Sequence, residues 1–402
     1  MPFSKMADAI GASVTLKLNA QAARMRAAGD PVIHLGGGEP KSLAPASAVD
    51  AGIAMLKTGE IRYTPAAGTP AMRHAIIAYT KKFYGREVER PNVMASAGAK
   101  QAIMVALLAL VDPQDEVVFP VPYWVSYPDM TRLASGVPVP VYAADGSFQP
   151  TLDEMIAAIT PRTKVVLLNS PNNPSGKVYD GEWLRGLVQF CEERDIFVMM
   201  DDIYHRLVFD GQKAVHCYEC TDRSVDDSKV VILNGVSKQY AMTGFRIGWA
   251  VGPRDLIQAM ANIQSHQTGG PCSLSQKAAI AAIEGAQGSV GELRRTLETS
   301  RDELMTLLGE IPGLKAGKPE GTFYCFADFR AFDEDSARLA DLLLDKIQVV
   351  TVPGVEFGME GYLRLSYCGA IEDVREGIRR IKWLLDENGT SELVAGDKVF
   401  TR

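Results

Sequence analysis

Apolar positions follow two alternating rhythms along this chain. Short, nearly unbroken apolar runs occur at 93–96, 116–119, 137–142, 164–168, 196–200, 230–233 and 247–251. Runs of that length, apolar on both faces, predict strands inside a sheet that is covered on both sides. Between them, apolar residues recur at three- and four-residue intervals, as over 101–111 and 182–194, and predict helices. Strand and helix in alternation give an α/β class with a mostly parallel seven-stranded sheet between helices. From about residue 289 the texture changes to a helix over 291–309, an apolar run at 321–328, a helix at 335–345, a strand near 361–366 and a helix at 371–386. That order predicts a smaller α+β domain.

Composition narrows the class. At 402 residues the chain exceeds one typical core, so two domains are expected. No apolar run reaches the roughly 18 residues of a membrane span, and the N-terminal stretch lacks the apolar centre of a signal peptide. A net charge of −7 argues against a general nucleic-acid binder. A cytoplasmic enzyme with small-molecule partners is the expectation. Cys217 and Cys220 have a metal-like spacing with His216 beside them, but no second ligand pair accompanies them, so no metal is expected.

Three of the predicted strands end on polar groups. Lys238 follows 230–233 and a glycine-containing turn, with Ser237 before it and Arg246 eight residues on. A lysine held there, partly desolvated and beside fixed cations, has its ammonium pKa lowered and its amine freed as a nucleophile. Lys238 is therefore a Schiff-base candidate, with Ser237 and Arg246 placed to hold an anion; an ordinary Ser-Lys loop is the plain alternative. Asp201 and Tyr204 follow the run 196–200, and Asn173 follows 164–168. Ligands in open α/β sheets bind beyond the carboxyl ends of the strands, so these ends define one candidate site.

Four motifs occur in order: Asn172-Asn173-Pro174-Ser175-Gly176, Asp201-Asp202-Ile203-Tyr204, Ser237-Lys238 followed by Arg246, and Arg364-Leu365-Ser366-Tyr367. Together they resemble the class I aminotransferases of the aspartate aminotransferase type, which use pyridoxal 5'-phosphate. The resemblance runs from Gly37 to Tyr367. It implies the PLP-dependent transferase fold (fold type I), with strand 247–251 antiparallel to its neighbours. It implies a large PLP-binding domain at 45–289 and a small discontinuous domain of 1–44 and 290–402.

The resemblance also implies roles. Lys238 carries the cofactor and moves the substrate's α-proton, and Asp201 pairs with the pyridinium nitrogen, the neighbouring Asp202 being excluded by the motif. Asn173 and Tyr204 donate to the ring's phenolic oxygen, and Trp124 stacks on the ring. A strand-to-helix turn at 95–101 suits an anion through the helix's free N–H groups and dipole. The family's phosphate cup falls there, on the backbone of Gly98, Ala99 and Lys100, completed by Ser237 and Arg246. Tyr63 reaches the phosphate of the neighbouring subunit, which implies a homodimer with shared sites. Arg364 grips the α-carboxylate, with Gly38, Trp124 and Asn173 also touching substrate. Lys100 meets a side-chain carboxylate, so aspartate or glutamate is the expected donor and a 2-oxo acid the acceptor. An aminotransferase for aromatic or other neutral amino acids, and an eliminating lyase on the same scaffold, are the alternatives.

Two departures from the family pattern stand out. Gly235 occupies a position where many relatives place a phosphate-binding serine. Lys41-Ser42-Leu43-Ala44 replaces a stretch that usually carries two acids and an aromatic residue, which puts the side-chain pocket in doubt.

Overall fold

The computed structural model describes residues 3–11, 14–386, 388–396 and 398–401. Met1 and Pro2, the start of the stretch read above for a signal peptide, lie outside the described residues. Seven strands form the main sheet: β1 (Val93–Ser96), β2 (Glu116–Pro120), β3 (Val137–Val141), β4 (Thr163–Asn169), β5 (Phe197–Asp201), β6 (Val230–Gly235) and β7 (Gly248–Val251). Their order is β1-β7-β6-β5-β4-β2-β3. β7 runs antiparallel to both β1 and β6, and the remaining pairs are parallel. Each expected strand is present, with its ends within two residues.

The unbroken apolar runs are explained by burial on both faces. Val166, Leu168, Val198, Met200 and Ile232 pack into one core, and the alternating Val165, Leu167, Met199, Val231 and Leu233 into another. Each such side chain contributes roughly 1.5–3 kcal/mol when fully buried. The register sets Asn169 opposite Asp201 and Asp201 opposite Leu233. The carboxyl ends of β4, β5 and β6 therefore lie side by side.

A second sheet has the antiparallel order β10-β11-β9-β8, built from β8 (Lys315–Ala316), β9 (Tyr324–Asp328), β10 (Val352–Pro353) and β11 (Tyr362–Ser366). Ile33–His34 pairs in parallel with Val349–Val350, which brings the N-terminal segment beside this sheet. The core here also draws in Ile203, Tyr204, Leu207 and Phe209 from the segment after β5. A C-terminal hairpin, Glu392–Ala395 with Lys398–Thr401, was not anticipated. It turns Leu393, Ala395 and Phe400 into this core and leaves Val394 and Val399 exposed, the period-two pattern of a half-buried strand. No helix among the described residues is long and apolar enough to cross a membrane.

Candidate active site

The carboxyl ends of β4, β5 and β6 open into a cleft of about 770 Å³. Of the residues singled out from the sequence, Gly38, Ala99, Lys100, Trp124, Asn173, Asp201, Tyr204, Ser237, Lys238, Arg246 and Arg364 line it. Gly98 stands behind Arg246. Tyr63 does not join them; it is fully exposed on the surface of this chain.

Lys238 projects from the turn after β6, and its Nζ donates to the Gly38 carbonyl. Burial, with Arg364 and Arg246 adding to it against Cys368 and Glu39, pulls its pKa down to about 8. An ammonium in water titrates near 10.4, so this amine is available as a nucleophile near neutrality. In cofactor-free protein we expect Lys238 to react with an amine-directed aldehyde along a pH profile centred near 8, more than a unit below surface lysines. Peptide mapping of the labelled protein across pH 6–11 checks this.

Asp201 ends β5 and is buried. Its Oδ2 accepts from Tyr127 Oη at 2.9 Å, and its backbone carbonyl accepts from Asn169 Nδ2 at 2.8 Å. Oδ1 has no hydrogen-bond partner among the described residues. Burial raises the Asp201 pKa to about 7 against the pull of the Tyr127 hydrogen bond. A buried carboxylate oxygen left without a donor is costly, and a protonated ring nitrogen is the chemistry that relieves it. Asp202, one residue on, points to the other side of the sheet, where it faces His216 at 3.5 Å.

Asn173 is fixed by its own N–H, which donates to Asn169 Oδ1 at 2.8 Å. Its Oδ1 accepts from Arg364 Nη1 at 3.0 Å, which leaves its amide donors for a ligand. Arg364 also donates from Nη2 to Gly36 O at 3.0 Å, and its Nε is buried without a partner. Its guanidinium lies 4.3 Å from the Tyr324 ring centroid and 5.1 Å from that of Phe357. Tyr204 Oη is 3.4 Å from Tyr324 Oη.

The anion corner departs from the expectation in one detail. Gly98 caps helix Ala99–Leu110 with φ 94°. Its N–H already donates to Ser96 O at 2.8 Å, so it is not free for a phosphate. The N–H groups of Ala99 and Lys100 lie in the first turn, where a helix supplies no acceptors. Arg246 is aimed by bonds to Thr243 O at 2.9 Å and Ala97 O at 3.5 Å. A Cβ on Gly98 would collide with this guanidinium, and a Cβ on Gly248 would strike the Ala99 backbone. Gly235 pairs with Gly248, and a Cβ on Gly235 would lie 2.8 Å from Ile247 O. The close approach of β6 and β7 thus accounts for glycine where a serine was expected.

Lys100 Nζ lies 4.7 Å from the Trp124 ring centroid, a cation–π contact on the cleft wall. Partial desolvation and then Arg246 lower its pKa. Lys41, also on the cleft lining, pairs with Asp373 at 3.0 Å, and Leu43 is exposed. The thiols of Cys217 and Cys220 are pushed up, to about 11 for Cys220, so they stay protonated. His216 faces Asp202 rather than the two sulfurs.

Sequence reasoning missed Tyr127, Asn169, Tyr324, Arg26 and His34. Tyr127 lies three residues after Trp124 and was readable beside it. Tyr324, Arg26 and His34 reach the cleft from remote segments and carry no local signal.

With this geometry in view, the chain's relatives are informative. Residues 30–381 match the family model described as aminotransferase class I and II, and the chain belongs to that family. It is a pyridoxal-phosphate-dependent transaminase with the fold of the aspartate aminotransferases. It is 40% identical to the aspartate aminotransferase of Streptomyces avermitilis over 395 residues, 96% of each chain. It is 38% identical to the aspartate/prephenate aminotransferase of Nitrosomonas europaea over 399 residues, 96% of this chain and 100% of that one. Among solved structures, the Rhizobium meliloti aspartate aminotransferase superposes with a TM-score of 0.90 at 36% identity, covering 95% of this chain and 98% of the other. The Thermus thermophilus aspartate aminotransferase with maleate gives a TM-score of 0.90 at 35% identity, covering 95% and 99%.

The cleft suits the cofactor on its own terms. An unpartnered buried carboxylate oxygen, an amine tuned to about 8 and a helix start beside an arginine correspond to its ring nitrogen, aldehyde and phosphate.

Proposed function

We propose that this chain moves an amino group between L-aspartate or L-glutamate and a 2-oxo acid. One observation carries the choice of acid. Arg364 and Lys100 both line the cleft, and neither has a carboxylate partner among the described residues. Two cations without counterions suit a substrate with two carboxylates. The relatives named as aspartate and aspartate/prephenate aminotransferases support the same reading.

When bound, pyridoxal phosphate supplies an exchangeable carbonyl carbon and a protonated ring that takes up the electron pair of the α-carbanion. The chain's residues do the rest. Ser237, Arg246 and the N–H groups of Ala99 and Lys100 hold the phosphate, with Gly98 keeping the approach open. Trp124 covers the ring, and Asn173 and Tyr204 donate to its hydroxyl oxygen. Asp201 Oδ1 keeps a proton on the ring nitrogen. Arg364 grips the α-carboxylate bidentately, beside the Gly38 backbone, and so fixes the Cα–H bond toward Lys238. Lys238 Nζ takes the α-proton and returns it.

Steady-state kinetics with L-aspartate, L-glutamate, L-alanine and L-phenylalanine test the substrate. The wild type should favour the two acids. Lys100→Ala should lower kcat/KM for them by about 10–100-fold, the range of one charge-assisted hydrogen bond, and leave alanine within about threefold. A uniform loss across all four, or a wild-type preference for phenylalanine, would contradict the reading.

We read 45–289 and 1–44 with 290–402 as two domains flanking the cleft, and the functional unit as a cytoplasmic homodimer. Six free thiols accord with a reducing compartment. Val49, Ile53, Leu56, Ile61 and Tyr63 are exposed on one stretch of chain, an apolar surface that suits a second copy. Tyr63 would reach the phosphate held by the partner subunit. Leu56→Glu should shift the protein toward monomer in sedimentation velocity and speed cofactor loss. A dimer unaffected by this charge would place the interface elsewhere.

A further inference from the structure

Three groups of the cleft have chain neighbours that turn away from it. Asp202 follows Asp201, His205 follows Tyr204 and Gln239 follows Lys238, and all three followers are buried. The cleft lining includes Asp201, Tyr204 and Lys238 but none of these followers. Behind the cleft they meet Tyr79 and Tyr84 of helix Pro70–Tyr84 and Asn234 near the end of β6, which are buried too.

The direction of each hydrogen bond in this cluster follows from the chemistry of its partners. Burial holds the pKa values of Tyr79 and Tyr84 well above the usual range, so both hydroxyls keep their proton. Tyr79 Oη donates to Gln239 Oε1 at 2.9 Å, an amide oxygen with no hydrogen of its own. Its one hydrogen is thereby used, so in the 2.6 Å bond to His205 the Nε2–H donates and Tyr79 Oη accepts. Burial, with His216 and Arg206 adding to it against Asp202, pushes the His205 pKa down to about 3. A neutral imidazole that donates from Nε2 accepts at Nδ1. Tyr84 Oη is the donor there, at 3.3 Å, and also faces the Asp202 carboxylate. Tyr84 Oη in turn accepts from Asn234 Nδ2 at 2.7 Å. Gln239 Nε2 completes the circuit, donating to Asn234 Oδ1 at 3.4 Å and to Gly235 O at 3.2 Å. His205, Tyr79, Gln239, Asn234 and Tyr84 form a closed cycle in which every donor points the same way round, so that each bond polarises the next.

This cycle ties the segment after β5, which carries Tyr204, to the turn after β6, which carries Lys238. Resting on the roles given above to Asp201, Tyr204 and Lys238, we propose that Tyr79, His205 and Gln239 are positioning residues for transamination. They touch neither substrate nor cofactor; their cycle sets where the Lys238 amine stands relative to Tyr204 and Asp201 while the α-proton moves. Proton transfer by one amine is sensitive to that placement, a shift of about 1 Å costing on the order of 10²-fold. Arg364, the anchor of the α-carboxylate, comes from β11 and is held by Asn173 and Gly36, outside the cycle. Loosening the cycle should therefore cost turnover and spare substrate binding.

The test uses holoenzyme carrying Tyr79→Phe, Gln239→Met or both, with Thr80→Val as the control. Thr80 is buried on the same helix and donates within it, to Ile76 O at 2.8 Å. Tyr79→Phe and Gln239→Met should each lower kcat by about tenfold, with KM for the amino donor within about twofold and cofactor content unchanged. The double variant should lose at most about twofold more than the worse single one, because both changes open the same cycle. Thr80→Val should keep kcat within about twofold. Lower melting temperatures with kcat unchanged, or an equal loss of kcat in Thr80→Val, would show a structural role alone and overturn the proposal. The wild type supplies a second readout where a variant fails to fold. Its histidine nitrogen NMR spectrum should show His205 as the neutral Nε2–H tautomer across pH 6–8, and an Nδ1–H tautomer or an imidazolium would break the cycle and overturn the proposal. Turnover that survives Lys238→Ala would overturn it together with the cleft roles, whereas the other failures overturn it alone.

Discussion

Lys238→Ala should abolish steady-state turnover, with a loss of at least about 10⁴-fold, in a protein that remains folded. The size follows from two jobs at one atom, attachment of the cofactor and transfer of the α-proton. The fold should tolerate the change because a buried ammonium is a cost, as its pKa of about 8 records. A structural role and a chemical one are separable by added small amines. These should restore part of the activity of Lys238→Ala in proportion to their basicity. Turnover within tenfold of the wild type would remove Lys238 from the mechanism.

Asp201→Asn should lower kcat by about 10²–10⁴-fold with a much smaller effect on cofactor content. Asparagine keeps the volume and can still accept from Tyr127, but it carries no charge to hold a proton on the ring nitrogen. The variant also has a signature independent of turnover. In cofactor-free protein, burial raises the Asp201 pKa from 3.8 to about 7. Its folded pKa lies above its unfolded one, so its favourable contribution is complete below pH 4 and is lost as pH rises through 7. Denaturant unfolding of the cofactor-free wild type should lose stability across that window relative to Asp201→Asn. Parallel pH profiles for the two proteins would show that Asp201 is not desolvated as described.

How much of this was legible in the sequence depended on where the chain had to be apolar. Six of the seven strands were readable because both faces of the main sheet are buried there, which forces runs such as Val230–Leu233, whereas Val137–Val141 is a half-exposed edge strand. The chemistry was readable where a strand end delivers it directly, at Asn173, Asp201 and Lys238. Helix Ala46–Thr58 was not, because its exposed face keeps Val49, Ile53 and Leu56 and so lacks polar contrast. At the phosphate corner, the Ser96–Gly98 turn that engages the Gly98 N–H leaves no mark in composition. Tyr324, Arg26 and His34 escaped for a different reason. His34 enters the cleft through the pairing of Ile33–His34 with Val349–Val350, a contact between segments far apart in the chain, Arg26 from helix Val14–Ala27 and Tyr324 from β9.

The most direct test of the central claim is a single half-reaction. Purified holoenzyme is mixed with one equivalent of L-aspartate, without any 2-oxo acid, while the cofactor's absorbance and the oxaloacetate formed are followed together. The account predicts conversion of the cofactor from its aldehyde to its amine form, one oxaloacetate per active site, and a similar result with L-glutamate. Conversion with L-alanine or L-phenylalanine but with neither acid would contradict it, as would release of ammonia in place of a retained amino group.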